Sequence, residues 1–284
     1  MLQYLFEYEF LRNSFLTGLI IGMISPLLGV FIVLRRQSLI ADALSHVTLS
    51  GIAASLFLGK LSPFWATLNP VYGGMIFSIG GALLIEKLRT VYRHYEELAI
   101  PIIMSFGVGL GVVFISLANG FNADLFSYLF GSVSAVSTGD LYLIIFISVI
   151  VLLCIIFLFK ELFLLSFDEE YGKVSGLRVK TINFIFIIMV AVVIAISMQI
   201  VGVLLVSSLM TLPVAASIRV AKSFKGTIFY AIFFGELAVV GGLVSAYYFN
   251  LAPGGTIVIL ATLILVLAIC NKQMHIRYNK MLSK

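Results

Sequence analysis

The chain has 284 residues, of which 61% are hydrophobic and 11% are charged, and its mean hydropathy is +1.15. Soluble domains contain about 25% charged residues, so this composition excludes a soluble protein and predicts an all-α, polytopic membrane protein. The formal net charge of +5 does not indicate nucleic-acid binding, because the basic residues cluster between apolar runs, where they would meet anionic lipid headgroups.

Nine apolar runs come close to the length of about 20 residues that a membrane-spanning helix needs. In chain order they cover residues 14–34, 38–58, 70–88, 100–118, 139–160, 181–198, 201–221, 227–248 and 255–271. The sixth and seventh runs predict a hairpin with a very tight turn at Gln199–Gly202. Pro213, inside the seventh run, predicts a kinked or broken helix, which is typical of a transport path.

The basic residues distinguish the two sides of the membrane. If nine helices alternate in direction, every Lys and Arg cluster from Arg35–Arg36 to the C-terminal residues falls on one side. The opposite loops contain one positive charge, Lys60. The positive-inside rule therefore predicts that the N-terminus lies outside the cell and the C-terminus lies in the cytoplasm.

The second apolar run contains a carboxylate and an imidazole four residues apart, Asp42 and His46. These positions lie one turn apart on one face of a helix, and Ser38 and Ser45 share the same arc. Ionisable groups at membrane depth typically mark a path for an ion or a substrate. Oxygen and imidazole ligands suit a dication such as Zn²⁺. The alternative is a structural hydrogen bond that fixes the helix.

Other polar or soft side chains near the apolar runs have two interpretations each. Glu236 either fixes neighbouring helices or lies along the ion path, in contact with the metal ligands. Met210 is either a soft ligand or a core residue. Asp124 and Asp140 flank an outer loop and could contact a metal-delivering partner, although helix capping also accounts for Asp140.

The sequence contains no G-x-x-x-x-G-K-[ST] phosphate loop and no H-E-x-x-H metallohydrolase motif. We therefore expect that the chain is not an enzyme, and that any ATP hydrolysis takes place in a separate partner chain.

The segment from Arg35 to Gly51, R-R-Q-S-L-I-A-D-A-L-S-H-V-T-L-S-G, resembles the signature of permease subunits of bacterial zinc and manganese ABC importers. Further matches follow in the same order, at residues 124–132, 166–176, 201–216 and 253–258. Ala41 replaces a glycine that is more common in the family. The start of the segment, together with Ser50, is closer to the zinc branch than to the manganese branch.

The resemblance implies a fold like that of type II ABC-importer permeases, with one transmembrane domain over residues 1–284, in the bacterial plasma membrane. It implies that Asp42 and His46 handle the metal. The expected partners are two ATP-binding cassette subunits, an extracellular metal-binding protein and membrane lipid. The transported ion would be Zn²⁺, with Mn²⁺ as the alternative, and no cofactor would be bound permanently. Because Zn²⁺ favours four ligands, a homodimer with this helix at its two-fold axis would complete the set.

Residues 166–177 resemble the cytoplasmic coupling helix of the family. They alternate charged and apolar side chains at helical spacing, and the alternative is a helix that lies on the membrane surface. The residues expected to contact the ATPase are Phe167, Asp168, Glu169, Tyr171, Gly172 and Gly176.

Three other functions share some of these features. A proton-coupled secondary carrier could use Asp42 and His46 as a proton relay. An intramembrane hydrolase would need a third metal ligand and a general base, for which only Glu236 is available. A permease for an organic metal chelate would need a wider pore without hard ligands at its centre.

Overall fold

The computed structural model describes residues 8–118, 120, 123–132 and 136–282. The side chain of Asp124, which the sequence predicts to contact a partner, lies outside the described part. Within that part, the regular elements are a short 3₁₀ turn at Glu96–Leu98 and thirteen α-helices, which are α1 (Glu9–Leu34), α2 (Leu39–Leu61), α3 (Pro63–Ala66), α4 (Pro70–Val91), α5 (Ala99–Leu117), α6 (Ala123–Phe130), α7 (Thr138–Phe157), α8 (Phe159–Phe167), α9 (Glu169–Val174), α10 (Val179–Val201), α11 (Val203–Val220), α12 (Phe224–Phe249) and α13 (Pro253–Leu282).

Eight helices of the described chain are long and apolar enough to cross a membrane, namely α1, α2, α4, α5, α7, α10, α12 and α13. The seventh predicted span corresponds to α11, whose described residues form a shorter apolar helix. The predicted all-α polytopic architecture is confirmed, with about nine apolar segments close to their predicted positions.

Short polar side chains define where several helices begin. Asn69 precedes α4 and accepts a hydrogen bond from the Val71 backbone N–H at 3.0 Å, with Pro70 at the first helical position. Ser223 caps α12 in the same way by accepting from the Gly226 N–H at 3.1 Å. Each cap satisfies a backbone donor that the first helical turn leaves unpaired.

The centre of the bundle is formed by α1, α2 and α10, which are the most deeply buried spans. Their largest buried side chains include Phe31, Leu44 and Ile194, each with less than 2% of its surface exposed. The outer helices expose large apolar side chains such as Ile76 and Phe157. In a membrane these faces contact lipid, because the bilayer interior is as apolar as they are.

The predicted tight turn at Gln199–Gly202 is confirmed. Helix α10 ends at Val201, α11 begins at Val203, and Gly202 alone joins them with φ of 82°. A Cβ atom on Gly202 would lie 2.6 Å from the backbone nitrogen of Gly131. Glycine is needed here both for its backbone conformation and for the space beside it.

We expect Gly202→Ala to lower the free energy of unfolding by about 1–3 kcal/mol. Alanine disfavours this backbone conformation, and its methyl group would overlap the backbone beside Gly131. Thermal unfolding of the purified protein in detergent measures the effect. Gly109→Ala is the control, since a Cβ atom there meets no described atom within 4 Å. Equal stability of the two variants would contradict the expectation.

Helix α11 continues through Pro213 from Val203 to Val220 and is not broken there. Proline lacks the N–H that would bond the carbonyl of the residue four positions earlier, Leu209, so one bond of the helix ladder is missing. The predicted interruption is therefore limited to a local weak point within a continuous helix.

Candidate functional site

One side of α2 is only partly covered by the rest of the protomer. Leu39 is 60% exposed, and Asp42, His46 and Leu49 are half-buried at successive turns on the same side. All other residues from Ile40 to Thr48 are buried. The two candidate ligands therefore face away from the core of their own chain, along a stripe defined by these four residues.

Asp42 and His46 are not used for internal structure in the described part of the chain. Its ion pairs join Arg89 to Glu86 and Lys173 to Glu169, and neither candidate ligand takes part in a side-chain hydrogen bond there. The alternative of a structural hydrogen bond that fixes the helix is therefore not seen. Within the same part of the chain, no group of three or more His, Cys, Asp or Glu side chains could hold a metal ion. One protomer thus presents two free donor groups and no complete site.

The two serines near this pair differ in position. Ser45 is buried, and its hydroxyl donates to the Ala41 carbonyl at 2.8 Å, so it lies off the partly exposed stripe. Ser38 precedes the first residue of α2 and makes no side-chain cap. A serine in an apolar helix commonly donates its hydroxyl hydrogen bond to its own helix in this way. The sequence predicts that Ser45 shares an arc with Asp42 and His46, and the structure instead places it off the stripe that bears them.

Helix α11 packs against α1 and α2. Met210 is completely buried, and its backbone carbonyl lies directly against Gly29, where a Cβ atom would overlap it. The close approach explains why α1 has glycine at this position. Met210 and Pro213 therefore lie in a helix that neighbours the helix bearing Asp42 and His46.

Glu236 lies on α12, in the contact between α12 and α1. Its carboxyl carbon is 3.3 Å from the place where a Cβ atom on Gly22 would be. Its Oε2 atom is buried and has no hydrogen-bond partner in the described residues. Helices α12 and α2 are not among the closely packed pairs of the described chain. The structure therefore does not bring Glu236 together with Asp42 and His46 in one protomer.

The structure interrupts the 166–177 segment at Asp168, between the end of α8 and the start of α9, where one continuous coupling helix was predicted. Asp168 ends α8 and caps α9 by accepting from the Tyr171 N–H at 2.8 Å. Glu169 pairs with Lys173 at 3.1 Å, and this hydrogen bond raises the pKa of the Lys173 ammonium group. Gly172 is buried, and a Cβ atom added there would lie 2.7 Å from the Leu165 side chain. Gly176, near the end of the segment, has a φ of 81°.

Three apolar side chains of this segment face outward. Phe167, Tyr171 and Val174 are 65%, 59% and 86% exposed. Tyr171 and Val174 are three residues apart and share one side of α9, whereas Phe167 precedes the break at Asp168. One face of the Phe167 ring contacts Phe163 and Phe224, and the rest of its side chain stays exposed. Large exposed apolar groups of this kind are typical of a surface that binds another protein.

Arg35 connects three elements, which the sequence did not reveal. Its guanidinium group donates to Asn183 Oδ1 on α10 at 2.9 Å, reaches the Leu162 carbonyl on α8, and lies 4.9 Å from the ring centre of Phe186. Such stacking on an aromatic ring is attractive for a cation. Burial lowers the pKa of Arg35 to about 10, so it stays charged at neutral pH. The sequence indicated only a basic residue beside headgroups.

A group of phenylalanine rings, which we call the aromatic cluster, joins α8 to the bundle. Phe224 at the start of α12 contacts four other rings, and its ring centre is 4.8 Å from that of Phe163. The five members are Phe31, Phe159, Phe163, Phe167 and Phe224. Phenylalanines at positions 159, 163 and 167 repeat every four residues, and this spacing could have indicated a common face.

The Asp140 carboxylate caps a helix and accepts a hydrogen bond from another helix start in the described chain. It is 7% exposed, forms a capping box with Ser137, and accepts a hydrogen bond from Asn69 Nδ2 at 2.5 Å. These bonds tie the start of α7 to the start of α4. Of the two interpretations of Asp140, the structure supports capping.

The matches to known proteins extend over nearly the whole chain. The family model described as the ABC 3 transport family matches residues 7–272. The chain belongs to this family. It is therefore a membrane-spanning permease of the ABC metal-importer class, a transport component and not an enzyme. The family predicted from the Arg35–Gly51 signature is confirmed.

Relatives of this ABC 3 permease are named for two different metals. It is 33% identical to the manganese transport system membrane protein MntC of Listeria monocytogenes, over 94% of this chain and 92% of the relative. It is 30% identical to the high-affinity zinc uptake system membrane protein ZnuB of Haemophilus influenzae, over 94% of this chain and 99% of the relative. The structure of PsaBC from Streptococcus pneumoniae, in complex with a Fab, matches with a TM-score of 0.81 and 32% identity, over 94% and 93% of the two chains.

Proposed function

We propose that this permease passes Zn²⁺ across the plasma membrane through a pore at the two-fold axis of a homodimer. The observation that supports the proposal is the pair Asp42 and His46, which are half-buried on the partly exposed stripe of a central helix and have no ion-pair partner among the described residues. Leaving such groups without a partner in a membrane is costly, and a second copy at this stripe would remove that cost by sharing a bound ion.

The number of donors supports a shared site. Zn²⁺ favours four ligands, and two copies would supply two carboxylates and two imidazoles. These groups would hold the ion only in passing, because a transport site that bound its ion too tightly would not release it. Pro213 would mark a deformable point of the pore wall, and Ser38, Ser45, Met210 and Glu236 would lie along or behind the path without binding the ion directly.

Mn²⁺ is the second candidate, because the relative MntC is named for manganese and is slightly more similar to this chain than ZnuB. Oxygen and imidazole ligands are compatible with either ion, although Mn²⁺ forms weaker complexes with the same ligands. The start of the signature segment, which is closer to the zinc branch, favours Zn²⁺.

The energy for transport would come from two ATP-binding cassette subunits bound at α8 and α9. The exposed residues Phe167, Tyr171 and Val174 would enter a groove on the ATPase, with Asp168, Glu169, Gly172 and Gly176 giving the segment its shape. An extracellular protein would deliver the metal. The N-terminus would lie outside the cell and the C-terminus in the cytoplasm, as the distribution of basic residues indicates.

Uptake by the complete complex in lipid vesicles tests the choice of ion. With the ATPase subunits and the metal-delivering protein present, we expect ATP-dependent Zn²⁺ uptake at least about tenfold faster than Mn²⁺ uptake at equal free concentration, from the stronger binding of Zn²⁺ to nitrogen-containing sites. Preference for Mn²⁺ would assign the protein to the second candidate. Uptake that continues without ATP and stops when the proton gradient collapses would instead support a secondary carrier.

A further inference from the structure

The outer faces of α4 and α5 enclose an apolar groove with a volume of about 260 Å³. Its floor is Val47 of α2, and its walls include Ile76, Gly80, Gly81 and Leu84 of α4 and Gly107 of α5. A cavity of about 150 Å³ already accepts benzene, so this groove is large enough for part of an alkyl chain. We propose that it binds one acyl chain of an anionic phospholipid whose headgroup lies at Lys87.

The groove lies where Val47 of α2 packs between α4 and α5, against a glycine on each helix. A Cβ atom on Gly81 would lie 2.9 Å from Val47 Cγ1, and one on Gly107 would lie 2.7 Å from Val47 Cγ2. At Gly80, by contrast, a Cβ atom meets no described atom within 4 Å. The side chain of Val47 therefore fills the base of the gap, and the missing side chain at Gly80 leaves its outer part open.

The groove is separate from the stripe that bears the candidate ligands. Successive helical residues point about 100° apart, so Val47 faces a different side of α2 from His46. Val47 is buried between α4 and α5, whereas His46 lies on the partly exposed stripe. A molecule in the groove would therefore contact the helix that bears Asp42 and His46 on another side, without entering the proposed pore.

The depth of the groove matches one leaflet of a bilayer. Along α4, Leu84 lies about 4.5 Å and Ile76 about 16.5 Å from Lys87, at 1.5 Å per residue. Half of the hydrocarbon core is about 15 Å thick. An acyl chain whose headgroup is level with Lys87 would thus pass along the groove for most of its length.

Lys87 supplies the charge that selects the headgroup. It lies on the same outward side of α4 as Ile76, Gly80 and Leu84, and its side chain is exposed. In the described part of the chain its ammonium group takes part in neither of the ion pairs and in no side-chain hydrogen bond. A lysine at the end of a span attracts anionic lipid, and its long stem reaches the headgroup region.

Photolabelling tests the proposal with the purified protein in phosphatidylcholine vesicles that contain phosphatidylglycerol with a diazirine on its acyl chain. After irradiation, mass spectrometry locates the labelled residues. We expect labelling concentrated on the groove walls of α4 and α5. Gly80→Leu should abolish it, because the new side chain occupies the groove. Lys87→Gln should reduce it about fivefold, the equivalent of about 1 kcal/mol for one surface charge.

Gly109→Leu is the matched control, since this glycine on α5 also has open space around its Cβ position but does not line the groove. Its labelling should equal that of the unmodified protein, and all variants should elute at the same position in size-exclusion chromatography. Unchanged labelling of Gly80→Leu, or equal labelling by a phosphatidylcholine probe, would overturn the proposal. A disulfide-linked dimer formed by Ile76→Cys would overturn it as well, by showing that a second copy covers the groove.

Discussion

We expect Zn²⁺ uptake to fall at least about 100-fold when Asp42 or His46 is replaced by alanine. The composition of the assembled complex should not change. Changes in residues that merely support metal ligands cost about 10–100-fold, and removal of a ligand from both copies of the chain costs more. ATP-dependent uptake by the reconstituted complex measures the loss, and gel filtration checks the assembly.

Two further variants separate chemistry from packing. Asp42→Asn keeps the shape of the side chain but removes its charge, and we expect it to be as defective as the alanine variant. Leu49→Ala removes volume from the same stripe without removing a ligand, and it should retain most of the uptake. Normal uptake by either Asp42→Ala or His46→Ala would remove the basis of the proposed metal path.

The second large effect is expected at the surface formed by α8 and α9. Tyr171→Asp introduces a charge where an exposed aromatic ring is proposed to enter the ATPase groove. Aromatic residues at the centre of an interface commonly contribute 2 kcal/mol or more, so binding should weaken by about 30-fold or more. Co-purification of the ATPase subunits with the tagged permease provides the measurement.

Tyr95→Asp is the control for this experiment. Tyr95 is 69% exposed, in the connection between α4 and α5, on the membrane side that we assign to the cytoplasm but outside the proposed docking surface. It should retain the ATPase. If Tyr171→Asp also retains it, the segment does not dock as proposed, and the membrane-surface alternative for residues 166–177 becomes the better interpretation.

The sequence was sufficient for the features that depend on local composition. Runs of apolar residues located the spans to within a few residues, because a helix that must satisfy its own backbone in lipid needs a continuous apolar stretch. The turn at Gly202 was also predictable, since the two neighbouring runs left almost no residues between them. Asp42 and His46 were identifiable as charged or titratable groups in such a run.

Features that depend on distant contacts were not predictable from a single sequence. The role of Arg35 requires Asn183 and Phe186, which are far away in the chain and come close only after the helices pack. The division of the 166–177 segment at Asp168 reflects a local competition between capping and helix continuation. The isolation of Glu236 from α2 follows from which helices pack together, and helical periodicity does not determine that.

The aromatic cluster has a mechanical consequence. Phenylalanine side chains have only two rotatable bonds. Phe224 would therefore absorb little of a displacement of α8 and would pass most of it to Phe31 on α1. Helix α1 is joined to α2 by only four residues, and the two helices would therefore tilt together. A smaller, more flexible side chain at position 224 would let α8 shift alone. ATP would then be hydrolysed without a matching movement of the helix that bears Asp42 and His46.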